Sequence, residues 1–316
     1  MQSILKYFKE YWQEQNIFHL LFVAIFLIIA INLNYKYDIE DGLIDIHYQS
    51  FKHFYLYLAL YSCGFIPIYL SYAFDKSGRK MLLQPGLWLR IFVGLLAFCT
   101  YCYIYQYKPW IEAHVFEYKV ASILKICADQ FVQATIMFMI LFAFWYWKDR
   151  KNQILYGLKI DREHLKVYAL MLAAMVPIII AASFTKDFQE YYPTARRVLR
   201  HCEDGMPTAW YVTLYEICYG LEFFHIEFFF RGFLILAFVR FAGSRAILPA
   251  AMFYCFIHFG KPMGECISSF FGGVILGVLS YRSRSIFAGV LIHMGIALLM
   301  ELVAGIWLWH LTSAVF

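Results

Sequence analysis

From Ile17 to Leu311 the chain returns repeatedly to apolar runs long enough to cross a bilayer. A crossing takes roughly 20 predominantly apolar residues, and every backbone polar group inside it must be satisfied within the protein. The runs fall at Ile17–Leu33, Phe54–Phe74, Leu87–Tyr107, Ala121–Trp147, Val167–Phe184, Leu221–Phe241, Ala246–Phe259, Ile267–Tyr281 and Ile286–Leu311. The expected fold is therefore an all-α polytopic membrane protein of about eight to nine transmembrane helices. Only 16% of the 316 residues are charged and 62% are hydrophobic, against roughly 25% charged in soluble domains. The net charge of +5 is spread over loops. It reads as a topology signal, with no nucleic-acid surface implied.

The connectors carry that signal. Lys76–Lys80, Lys148–Lys166, Arg240–Arg245 and Arg282–Arg284 all fall on one side if the amino terminus is cytoplasmic, and the acidic connector Asp38–Asp45 falls on the other. This is the positive-inside pattern, expected of a multi-pass protein of the cell membrane. Met1–Asn16 is amphipathic and reads as an interfacial helix. Pro177 should loosen the fifth span, and Gly220 is the expected break in the long run Trp210–Phe241. Cys63, Cys99, Cys102, Cys127, Cys218 and Cys255 sit in apolar runs and read as small core residues. Cys202 and Cys266 fall toward the predicted outer face, where a disulfide is conceivable. Residues 1–209 are expected to supply amino-terminal spans, and 210–316 the core helices carrying the chemistry, within one continuous membrane domain.

Ionisable residues inside spans are costly and point to function. They concentrate in three segments. The first, Leu221–Gly232, holds Glu222, His225, Glu227 and Arg231; Glu227 and Arg231 are one helical turn apart and able to pair. The second is Phe253-Tyr-Cys-Phe-Ile-His258, followed by Phe-Gly-Lys-Pro-Met-Gly-Glu265. The third is His293-Met-Gly-Ile-Ala297, with Glu301 beyond it. At 1.5 Å per residue from the predicted inner ends, Glu227, His258 and His293 lie about 21, 18 and 11 Å deep. A carboxylate at such depth can serve as general base to a water, and histidines can position that water or stabilise an oxyanion. The same Glu227, His258 and His293 are alternative zinc ligands, although no His-Glu-x-x-His spacing is present. Simpler readings stand beside these: a structural Glu227–Arg231 pair, a core His225, and Glu216 and Glu301 as interhelix polar contacts.

In this order, the three segments resemble the CPBP (Abi) family of intramembrane proteases, which includes the type II CAAX prenyl endopeptidases. The family pattern is Glu-Glu-x-x-x-Arg, then Phe-x-x-x-His, then His-x-x-x-Asn. Carried over, Glu227 takes the second glutamate, Arg231 the arginine, and His258 and His293 the two histidines. Tyr254 stands for the phenylalanine. Ile226 stands where the family has its water-activating glutamate, and Ala297 where it has asparagine.

The resemblance implies an endopeptidase that hydrolyses a peptide bond of a membrane-associated peptide or protein by glutamate-activated water, without a cofactor. Glu227, Glu222, His258 and His293 are the candidate catalytic residues, and Arg231, His225 and Glu265 the candidate supporting ones. Glu222 is the substitute for the missing glutamate by geometry and Glu227 by motif. The alternative is a catalytically inactive relative that binds membrane peptides or confers immunity. A transporter is the third reading, and no inverted repeat supports it.

Overall fold

The computed structural model describes residues 2–203 and 205–313; Met1, first residue of the expected interfacial helix, lies outside them. Helix makes up 83% of the described residues, with no strand among them. An amphipathic α1 (Gln2–Gln13) precedes α2 (Ile17–Tyr37), α3 (Phe51–Leu70), α4 (Pro85–Tyr103), α5 (Tyr118–Phe144) and α6 (Leu165–Ala182). Then come α7 (Thr208–Glu227), a π-helical segment Phe228–Ala237, α8 (Ile247–Phe256), α9 (Met263–Ser283) and α10 (Phe287–Ser313).

Among the described residues, eight stretches are long and apolar enough to cross a membrane. The longest, Thr208–Phe256, has 49 residues. It breaks at Gly243, whose φ of 57° favours glycine, and α8 then packs back on the π-helical segment. The break divides it into the two spans read from sequence.

Local chemistry sets the helix ends. Asn16 caps α2 by accepting from the Phe18 N–H, and Asp38 ends it in the left-handed conformation. Ser50 accepts from the His53 N–H at the start of α3. The buried residues of α2, His19, Val23, Leu27, Ile31 and Asn34, recur at three- and four-residue spacing. Phe18, Leu21, Ile25, Ile28 and Ile29 are exposed on its other faces, as expected where lipid is the solvent.

Two expected boundaries moved. α7 runs unbroken through Gly220, because one glycine inside a long apolar helix costs only about 1 kcal/mol. The irregularity comes eight residues later, at Phe228, where the helix widens. Gly232 sits in that widened stretch, and a Cβ there would lie 2.9 Å from the Tyr156 carbonyl oxygen. The backbones meet at that point, and only glycine fits. α9 is longer than its apolar core implied: it begins directly after Pro262, so Met263-Gly-Glu265 is its first turn and not loop.

The chain forms two compact units. The first comprises Met1–Tyr103, Met137–Asp161 and Glu227–Gly289. Its core is aromatic: Phe98 packs on Phe229, Phe230 and Phe253, with ring centroids 5.0 to 5.7 Å apart. Arg90 on α4 and Asp149 form a buried pair, and Tyr156 donates to the same carboxylate at 2.9 Å. Cys266 is a buried free thiol 3.7 Å from the Cys255 sulfur, and Cys202 is also free, so the disulfide considered for Cys202 and Cys266 is not formed. Of the cysteines read as core, Cys63 is exposed, on a lipid-length helix.

The second unit comprises Ile104–Ile136, Arg162–Ile226 and Val290–Phe316. Ile123, Cys127, Tyr215, Tyr219 and Ala297 form its packed centre. Glu301 accepts from the Thr194 N–H and hydroxyl, both at 2.7 Å, and from the Ala195 N–H at 3.2 Å. One buried carboxylate thereby ties the 185–207 connector to α10.

Candidate active site

His258 lies just past the end of α8, in the turn Ile257–Pro262. α8 ends at Phe256 with Ile257 as its cap, Pro262 precedes the next helix, and Glu265 falls in the first turn of α9, where a carboxylate is favoured by the helix dipole. The turn is pinned from the amino-terminal half. The Asn34 amide donates to the Phe259 carbonyl at 3.0 Å and the Tyr35 hydroxyl to the Lys261 carbonyl at 2.6 Å. Glu40 and Asp41 press against Gly260: a Cβ there would lie 3.2 Å from an Asp41 oxygen and 3.5 Å from the Glu40 carboxyl carbon.

A continuous set of contacts then runs through the first unit. Glu227 is 0% exposed and Arg231 1%, and the guanidinium donates to the Glu227 Oε1 at 2.7 Å. The Arg231 Cζ sits 4.5 Å from the centroid of the Tyr254 ring, a cation–π contact of the strong, desolvated kind. Tyr254 meets His258 edge to face at 4.6 Å, and its carbonyl accepts from the His258 Nδ1 at 2.8 Å. The His258 Nε2 lies 4.0 Å from the Glu265 Oε1, and Lys261 Nζ lies 3.6 Å from the same oxygen. Gly289 closes the other side of Glu227, since a Cβ there would fall 1.9 Å from Glu227 Oε2.

The remaining candidates belong to the second unit. Glu222 faces the Gln130 side-chain amide. The His225 Nδ1 donates to the Leu221 carbonyl one turn back, at 2.8 Å. His293 packs edge to face on Phe223 at 4.6 Å. Ile226 is 7% exposed and Ala297 5% exposed, so both stand as packing residues.

A family model described as type II CAAX prenyl endopeptidase Rce1-like matches residues 209–299. Over this stretch the chain is similar to that family. The match spans α7 to the middle of α10 and contains all three segments singled out in the sequence. The family so described is one of intramembrane CAAX-type proteases, and the long apolar helices support a multi-pass membrane protein. The match covers under a third of the chain. No curated protein and no solved structure matches it.

The amino-terminal contributors to the site were not legible in advance. Asn34, Tyr35 and Glu40 looked like the polar end of a span and a charged connector. Burial, with Asp45 and Asp41 alongside, pushes the Glu40 carboxyl up to about 7. Tyr57 donates to it at 3.3 Å. A signal was present, since four acids follow one span with only Lys36 before them, but it equally fits an outer loop.

Proposed function

We propose that this protein is an endopeptidase that hydrolyses a peptide bond of a membrane-associated peptide or protein at a site within the Rce1-like stretch. The observation carrying this reading is His258: inside the matched residues, held by its Nδ1 on a pinned turn, and faced by a carboxylate. The reaction is attack of water on the scissile carbonyl. A glutamate takes the proton, and His258 and His293, the residues matching the family's histidines, orient the water or stabilise the oxyanion. Glu222 and Glu227 are the two carboxylates nominated by sequence. Arg231 and His225 support them, and Glu265 supports His258. The mechanism needs no cofactor; zinc is the lesser alternative, and no group of three His, Cys, Asp or Glu able to hold a metal ion is found among the described residues. The substrate class taken from the family description is a prenylated carboxy-terminal peptide. The protein sits in the cell membrane with its amino terminus in the cytoplasm.

A second reading is favoured by Ile226 and Ala297. Both are apolar and buried where the resembling family carries glutamate and asparagine, as in a member that binds membrane peptides without cleaving them. Purified protein in lipid vesicles with a quenched fluorescent prenyl-cysteine peptide separates the two. Cleavage, insensitive to dialysis against a chelator, is the expected result. Saturable binding without cleavage supports the second reading, and chelator-sensitive cleavage supports zinc.

A further inference from the structure

We propose that Glu265 is the general base of this site, supplying from the first turn of α9 the carboxylate that Ile226 cannot. The assignment rests on the hydrolase reading above. It begins with access. A base must reach both water and substrate, and the Glu227 side chain is 0% exposed while its Oε1 is held by Arg231 at 2.7 Å. Glu265 and His258 have side chains 23% and 12% exposed, so solvent reaches both.

Tautomer supplies the second step. A carbonyl only accepts, so the Nδ1 of His258 carries the hydrogen in its 2.8 Å bond to the Tyr254 oxygen. In the neutral ring, Nε2 is then a lone-pair acceptor. The group facing it is another acceptor, Glu265 Oε1, at 4.0 Å. Two acceptors share no hydrogen and cannot bond directly across that separation. A single water donating about 2.8 Å to each spans it with a donor angle of about 90°, within the usual hydrogen-bond range. Its oxygen then carries both lone pairs outward, ready to attack.

The step balances. Glu265 takes one proton of the water while His258 holds the other, and the water oxygen bonds to the scissile carbon. The carbonyl electron pair moves onto oxygen, and collapse of the tetrahedral species breaks the C–N bond. The proton on Glu265 passes to the leaving nitrogen, giving a carboxylic acid and an amine. Glu227 and Arg231 are positioning residues here. They fix Tyr254, whose ring and carbonyl fix His258.

Three variants test this with the prenyl-cysteine peptide in vesicles. Glu265→Gln keeps shape and removes the base, and should lower kcat at least 100-fold with KM within about threefold, at unchanged thermal stability. Glu265→Asp should recover part of that loss. Glu265→Ala should be inactive and regain activity with added formate, a small carboxylate able to occupy the same place. Glu265→Gln within threefold of wild type, or no formate rescue, overturns the assignment and leaves the hydrolase reading standing. No turnover by the wild type overturns both.

Discussion

Removing the Arg231 guanidinium is the most informative structural perturbation. In Arg231→Ala, Glu227 remains fully buried and loses the donor at 2.7 Å, and Tyr254 loses the cation 4.5 Å from its ring centroid. Breaking one partner of a buried pair costs about 3–5 kcal/mol, because the other charge stays out of water. At about 2 °C per kcal/mol for a large domain, the apparent melting temperature should fall by about 6–10 °C. Arg231→Met with Glu227→Gln replaces the pair by neutral groups of similar size and should recover most of the loss, so the two changes are strongly non-additive. Thermal unfolding in detergent, followed by size-exclusion fluorescence, measures wild type, Arg231→Ala, the single changes Arg231→Met and Glu227→Gln, and the double variant. An Arg231→Ala protein within 1 °C of wild type, or additive losses in the double variant, would refute a coupled buried pair.

Other outcomes follow from the same contacts. Gly289→Ala should mimic Arg231→Ala in stability, since its Cβ would displace the Glu227 carboxylate, whereas Gly272→Ala, with nothing within 4 Å, should melt like wild type. Glu40, pushed up to about 7 from 4.5, holds its proton in the folded state when the unfolded chain has lost it. That contribution is complete below about 4.5 and lost as the pH rises to about 7, an upper limit of about 3 kcal/mol. Glu40→Gln should therefore flatten the fall in melting temperature between pH 5 and 8; an unchanged slope argues against a buried Glu40. Reporter fusions at Lys151 and Lys261 should report opposite sides of the membrane, and the same side for both would overturn the orientation.

The spans were legible because a bilayer allows few solutions: a long apolar run must be helical, and the observed boundaries differ from the expected ones by a few residues except at Leu221, where the helix begins at Thr208. The Glu227–Arg231 pair was legible for a related reason, since two charges one turn apart in such a run have few other partners. What the sequence hid was tertiary. Nothing local in Asn34 or Tyr35 says that they hold a turn more than 220 residues away. The widening at Phe228 escaped because it answers to the approach of Tyr156 to Gly232, whereas Gly220 merely looked like a break. Glu265 was read as loop-borne support. Only the start of α9 at Met263 puts its carboxylate opposite His258.

The most direct test of the central claim is turnover of the prenyl-cysteine peptide by wild type, His258→Ala and His293→Ala in vesicles, each shown folded by its melting profile. Cleavage by wild type, with at least a 100-fold loss of kcat in each histidine variant and peptide binding retained, is the predicted result. Cleavage that survives both substitutions, or its absence in the folded wild type, would contradict it.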